Sequence, residues 1–241
     1  MAFDYINMKV AVLVDGGFFM RRARRDFERL NLSYDQIAEY ISAYCMKHVY
    51  KYSHPGASGH EDRDKLYRIF YYDCAPLEKK AHLPITRSAI DFSKSELAKR
   101  QNAVHTALKK RRQVALRLGY IKDHREWRVR PSKMKELISG KSQWSELTDD
   151  DFKYDFKQKG VDSRISVDIS SLAYKNQVER IILIAGDCDF VPASKLARRE
   201  GIDFILDPMG NPLDPHLFEH IDGCHSVFHK MEHWQPRSNH T

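Results

Sequence analysis

The chain has 241 residues, 42% of them hydrophobic and 30% charged, with a formal net charge of +7 and a pI near 9.1. That composition suits one large globular domain, or one domain carrying an insertion, and excludes a disordered or low-complexity chain. No run of roughly 18 apolar residues occurs, which excludes a membrane-spanning helix. Cys45, Cys74, Cys188 and Cys224 form no C-x-x-C pair. With no basic leader ahead of "KVAVLVDGG", they read as reduced thiols in a cytoplasmic protein. In chain order, "KVAVLVDGG" (9–17) is a continuous apolar run of the kind that forms a buried parallel strand. "FFMRRARRDFERL" spaces Phe18, Phe19, Ala23, Phe27 and Leu30 for a helix. Residues 33–52 form a second helix, capped by Ser33, with Ile37, Ile41, Tyr44 and His48 on one face. Residues 53–64 read as a loop and 65–76 as a strand that ends in Asp73 and breaks at Pro76.

Beyond it, "HLPITRSAIDF" is irregular. Residues 93–119 read as one long helix, with a Ser93/Glu96 capping box and Gly119 as its stop. Residues 120–131 suggest a short hairpin or two strand pieces, and 132–160 a polar insertion or extended connection, mobile in part. A helix over 161–177 places Ile165, Ile169 and Leu172 inward. Strand "RIILIAG", helix "DFVPASKLARREG" and strand "IDFILDP" follow, then a short helix and a last strand. Strands alternating with helices predict an α/β fold with a mainly parallel sheet. The whole chain, 1–241, is expected to be one domain, with 75–157 holding the long basic helix and an insertion.

In open parallel sheets, ligands bind beyond the carboxyl ends of the strands. Asp15, Asp73 and Asp187 mark such ends; Asp189 lies two residues further on, and Asp162 and Asp168 sit on the helix preceding "RIILIAG". Carboxylates converging there repel one another, and a divalent cation is the usual remedy. Each also has a plainer reading. Asp15 suits a turn, Asp162 and Asp189 suit helix caps, Asp73 suits a strand end, and Asp168 falls near the inward face of its helix, where a carboxylate needs a partner.

The ordered segments "AVLVDGGFF", "KGVDSRISVDISSLA", "IILIAGDCDFVPASKLARREGIDFILDP" and "HIDG" resemble the NYN domain. More narrowly, they resemble its bacterial LabA-like branch within the PIN-like nuclease superfamily. The resemblance covers about residues 9–30 and 158–230 and does not extend to residues 75–157. It implies a three-layer α/β/α fold and a Mg²⁺- or Mn²⁺-dependent ribonuclease whose metal-site acids are Asp15, Asp162, Asp187 and Asp189. Asp168 matches the pattern as a further catalytic candidate. Many members carry an Asn soon after the first Asp-Gly; here Gly17 and Phe18 stand instead, a departure that bears on activity rather than fold.

Basic segments follow. Arg21, Arg22, Arg24 and Arg25 come directly after the first aspartate, and Lys109, Lys110, Arg111 and Arg112 end the long helix. Such groups contact phosphates without reading sequence. Trp127, between Arg125 and Arg128, is an aromatic placed to stack an unpaired base, or else a core residue. A solvated helix face is the plainer reading of the charges. His225, His229 and His233 would hold zinc only if they shared a helix. His48, His54 and His60 read as surface or loop residues, and Cys188 as a small buried one. Gly17 stands where a haloacid-dehalogenase phosphatase needs its second Asp, and Lys135 stands where a P-loop needs its first glycine. Two functional readings of different class remain: a metal-dependent nuclease acting on RNA, single-stranded by preference, and a catalytically weak RNA- or protein-binding regulatory module with the same fold. The oligomeric state is open, a homo-oligomer included.

Overall fold

The computed structural model describes residues 8–51, 65–212 and 215–236; the expected loop at 53–64 lies outside them. The chain divides into two compact units. One comprises residues 1–73, 103–119 and 160–241, and the other residues 74–102 and 120–159.

In the first unit, β1 (Val10–Asp15) is followed by α1 (Gly16–Arg22), α2 (Arg24–Arg29) and α3 (Tyr34–Lys51), then by β2 (Leu66–Cys74). Further along come α6 (Val161–Tyr174), β7 (Arg180–Ile184), α7 (Val191–Arg199), β8 (Asp203–Asp207), α8 (Pro215–Phe218) and β9 (Gly223–Cys224). β1 pairs in parallel with both β2 and β7, β7 with β8, and β8 with β9. These are the residues read as continuous apolar runs, and Val10 to Val14 and Ile181 to Ala185 are all buried. Burial alternates between faces as the pleat requires. Val10, Val12 and Val14 pack with Tyr40, Ile41 and Tyr44 of α3. Ala11 and Leu13 pack on the other side with Ile165 and Ile169 of α6 and Ala193 and Ala197 of α7. The result is helices on both faces of a mainly parallel sheet, the three-layer α/β/α architecture.

The second unit holds the hairpin strands β3 (Lys80–His82) and β4 (Ala89–Asp91), α5 (Pro131–Ile138) and β6 (Phe152–Lys159). Helix α4 (Glu96–Lys109) and strand β5 (Val114–Val129) run through both units. The sheet order is β6-β5-β2-β1-β7-β8-β9, and β6 pairs antiparallel with the later half of β5.

Five expectations need correction. The long helix over 93–119 stops at Lys109. Lys110, Arg111 and Arg112 offer it no apolar face, Gln113 takes a positive φ of 61°, and β-branched Val114 opens a strand. The hairpin expected at 120–131 is the continuation of that one strand; its irregularity is a bulge between Asp123 and Glu126, with Arg125 at φ 60°. The segment 132–160 contains α5 and β6 rather than an extended connection, and "HLPITRSAIDF" forms the β3–β4 hairpin. The helix from Phe18 to Leu30 is two helices joined at buried Ala23. No helix among the described residues is long and apolar enough to cross a membrane.

Candidate metal centre at the carboxyl edge of the sheet

β1 and β7 are neighbours and run the same way, so the chain leaves both at one edge of the sheet. Asp15 is the last residue of β1. It caps α1, accepting the Phe18 N–H through Oδ1 at 3.0 Å. Asp187 follows β7 and accepts the Asp189 N–H at 3.2 Å, closing a single 3-10 turn over Cys188–Phe190. Asp162 stands in the first turn of α6, where the helix dipole favours an anion.

Two glycines make the edge this tight. A Cβ on Gly16 would lie 2.6 Å from the Tyr72 carbonyl oxygen, and one on Gly186 would lie 2.5 Å from the Phe18 ring. The Phe18 ring therefore packs directly against Gly186, just beyond the end of β7.

The carboxylates sense one another. Burial pushes the Asp15 pKa up, the Phe18 N–H and the Arg21 charge oppose the shift, and the charge of Asp162 adds to it. Asp162 is also raised, by burial first and then by Asp187 and Asp189. Ligand atoms of Asp187, Cys188 and Asp189 all lie within 4.8 Å of one another. Among the described residues, no ion pair involves Asp15, Asp162, Asp187 or Asp189. Asp15 and Asp162 fall outside the Asp187–Asp189 group: the charge of Asp162 acts on Asp15, and those of Asp187 and Asp189 act on Asp162. Carboxylate oxygens are hard donors of the kind that suit Mg²⁺ or Mn²⁺.

That repulsion has a measurable consequence. A carboxyl whose pKa is raised on folding makes the folded state bind protons more tightly, so stability falls as pH climbs from about 4 through the raised value. Asp162→Asn is therefore expected to raise the melting temperature of the metal-free protein at neutral pH by about 1–2 °C. No such gain is expected below about pH 4, where the wild-type carboxyl is also neutral. Added Mn²⁺ should then stabilise the wild type more than the variant. Thermal melts with EDTA and with Mn²⁺ check this, and a variant that melts below the wild type in EDTA would refute it.

The other predicted residues are placed differently. Asp168 lies six residues beyond Asp162 on α6, which turns it about 120° away and carries it about 9 Å along the axis. Its Oδ2 accepts Tyr72 Oη–H at 2.7 Å and Arg117 Nε–H at 3.2 Å. Asp73 pairs with His105 at 2.8 Å inside the core. The doubt over Asp189 narrows, because Phe190 occupies the N-cap of α7 and no side chain caps that helix. Cys188 is exposed, not buried, because its 3-10 turn points it to solvent beside the acids.

Among the basic residues, Arg21 acts on Asp15 and is exposed. Arg22 is engaged in structure: it donates to the Met209 carbonyl at 2.9 Å and its guanidinium lies 5.7 Å from the Phe228 ring centroid. Arg24 pairs with Glu28, and Arg25 is exposed. Lys109, Lys110, Arg111 and Arg112 lie at the opposite edge. Gln113 donates to the carbonyl of Leu66, the first residue of β2, and Val10 of β1 pairs with Leu66 while Asp15 pairs with Tyr72. At about 3.3 Å per residue that separates them from the acids by roughly 17–20 Å. Trp127 belongs to the second unit, where its indole N–H donates to His82 O at 2.9 Å. His225 and His229 do not share a helix, since His229 lies in the final 3-10 turn and His225 precedes it.

Sequence reasoning missed a second buried cluster. Asp207, the last residue of β8, is fully buried and accepts from Tyr44 Oη at 2.6 Å, the Met209 N–H at 2.7 Å and His48 Nε2 at 2.7 Å. His48, expected at the surface, is fully buried. The available signal was its position on the same helix face as Ile37, Ile41 and Tyr44.

With the acids at one edge of an α/β/α sheet, the comparisons agree with the resemblance. The sequence matches the NYN domain family over residues 9–212, and the chain belongs to that family, part of the PIN-like nuclease superfamily. Among solved structures, a protein of unknown function from Vibrio parahaemolyticus is similar, with 16% identity, 94% of this chain and 96% of that chain covered, and a TM-score of 0.45. No curated protein matches the chain.

Proposed function

We propose that this chain is a metal-dependent ribonuclease acting on single-stranded RNA, within the LabA-like branch of the NYN family. The observation that supports the reading is the grouping of Asp187 and Asp189 beyond β7, whose charges act on Asp162, which in turn acts on Asp15 at the end of β1, with no ion pair to any of the four among the described residues. These four would hold one or two Mg²⁺ or Mn²⁺ ions. Such an ion supplies Lewis acidity toward the phosphodiester and makes water a better nucleophile at neutral pH. The Phe18 N–H fixes the Asp15 carboxylate, and the Asp189 N–H fixes that of Asp187, so neither has to reorganise when RNA binds. Arg21, exposed beside Asp15, would draw a phosphate toward the edge.

The direct test is incubation of the purified chain with single-stranded RNA and Mn²⁺. Cleavage is expected, lost on EDTA treatment and restored by excess Mn²⁺; cleavage indifferent to EDTA refutes the metal mechanism. The alternative, a binding module with little turnover, draws on Phe18, whose ring occupies the gap beside Gly186. RNA retained on a filter without turnover at any Mn²⁺ concentration would favour that module.

A further inference from the structure

The second unit carries a site of a different kind. Its net charge is disproportionate, with 16 lysines and arginines against 11 aspartates and glutamates in residues 74–102 and 120–159, or +5 of the chain's +7. On β6, Phe152, Tyr154 and Phe156 alternate with polar residues and so share one face of the ribbon. Across the ladder, Val129 stands opposite Phe152 and Trp127 opposite Tyr154, which extends that face onto β5. The β3–β4 hairpin and the turn after it cover only part of it. Phe92 packs 5.0 Å from the Tyr154 ring and 6.2 Å from Trp127, centroid to centroid, and the Trp127–His82 hydrogen bond holds the hairpin there.

Tyr154 is buried by this packing, whereas Phe156 remains 37% exposed and Phe152 is half-buried. They face a cleft of about 480 Å³, lined also by Trp127, Arg130 and Lys153. That volume lies within the usual range of small-ligand clefts, about 300–1,000 Å³. Three acids also line it. Asp155 pairs with Arg128 and His124, Asp149 accepts from the Ile85 and Thr86 N–H groups and the Thr86 hydroxyl, and Asp150 lies beside Arg130, whose Nε–H donates to its carbonyl. Lys153 has no ion-pair partner among the described residues, so the cleft meets an incoming ligand with aromatic faces and a free ammonium, within a unit of net positive charge.

An unpaired nucleobase has the matching chemistry: a flat apolar face, a polar rim and a phosphate on each side. We propose that this cleft binds one unpaired base of a single-stranded nucleic acid, stacked against Phe152 and Phe156 with Lys153 and Arg130 toward its phosphates. Duplexes are poor ligands because their bases are stacked inside the helix. The identity of the polyanion as RNA rests on the function proposed above; the cleft itself does not.

The test uses the full chain in EDTA, so that cleavage plays no part, and a labelled single-stranded RNA of about 20 nucleotides, long enough to exceed a typical single-strand site. Fluorescence anisotropy is expected to show Phe152→Ala with Phe156→Ala weakening binding about tenfold or more. Phe156→Tyr should retain affinity, and binding of a duplex of the same sequence or of heparin should not respond to either change. Because the double variant removes packing, the wild-type chain is also irradiated with RNA containing 4-thiouridine. Adducts on the peptides bearing Trp127 or residues 152–156 support the cleft. Adducts only elsewhere, or an unchanged affinity in a folded double variant, overturn it, as does equal weakening toward heparin. The two proposals fail separately. Stacking-dependent binding without Mn²⁺-dependent cleavage sinks the nuclease and leaves the cleft, and Mn²⁺-dependent cleavage with no response to the aromatic variants does the reverse.

Discussion

Asp187→Asn is expected to lower Mn²⁺-dependent RNA cleavage by about 10²–10³-fold or more, the scale at which losing one preorganised charged group registers, while leaving the fold intact. The side chain is exposed and makes one hydrogen bond, to the Asp189 N–H, which an asparagine oxygen can still accept. What changes is the charge, one of four carboxylates at the sheet edge. Asp15→Asn should have a comparable effect, since an asparagine can likewise keep the α1 cap. Asp168→Asn is the informative comparison. Its carboxylate bonds Tyr72 and Arg117, so its substitution should loosen α6 and lower the rate only severalfold. Initial rates across a Mn²⁺ titration separate the outcomes. A shallow deficit in Asp187→Asn that excess metal restores would mean one weakened ligand among several. A wild-type rate at every Mn²⁺ concentration would remove Asp187 from the site.

The contrast between Asp187 and Asp168 shows what a sequence conveys and what it withholds. Long apolar runs such as "KVAVLV" and "RIILIA" announce buried parallel strands because both of their faces must be covered. The residues at their ends, Asp15 and Asp187, inherit their location from that rule. Which other acids join them depends on helix phase, and Asp162 and Asp168 are equally plausible on paper until six residues of α6 separate them by a third of a turn. The basic run at the end of α4 is placed by another contact. Lys109 to Arg112 look like a phosphate track, but their edge of the sheet is set by the Gln113–Leu66 contact, a long-range pairing invisible to local pattern. The second unit was hardest to read, because a two-stranded ribbon with a bulge at Arg125 keeps no clean period across the irregularity. The aromatic spacing of Phe152, Tyr154 and Phe156 was nevertheless present in "FKYDFK".

Asp207→Ala should destabilise the fold by about 3–5 kcal/mol, the scale expected when a buried carboxylate is taken from the partners it holds. Both His48 and Asp207 are fully buried, and the same carboxylate serves Tyr44 and the Met209 N–H. Removing it strands two side-chain donors and one backbone donor in the core between α3 and the end of β8, each of which carries its own desolvation penalty. Burial by itself works to raise the Asp207 pKa, but the hydrogen bond and charge of His48, then Tyr44 and the Met209 N–H, outweigh it and hold the carboxyl below its ordinary value. The sign follows. A pKa depressed on folding adds stability that is present above about pH 4 and is lost as pH falls through the folded-state value. Wild type and variant should therefore converge in stability under acid, from a deficit of the variant at neutral pH where Asp162→Asn starts from a gain. For a chain of this size the loss at neutral pH corresponds to a melting temperature lower by roughly 6–20 °C. Urea unfolding of Asp207→Ala, His48→Ala and the double variant measures it, and the double variant should lose less than the sum of the two because the partners share one interaction. Strict additivity, or a loss below about 1 kcal/mol in Asp207→Ala, would mean that the pair does not tie α3 to β8, the neighbour of the strand that leads to Asp187.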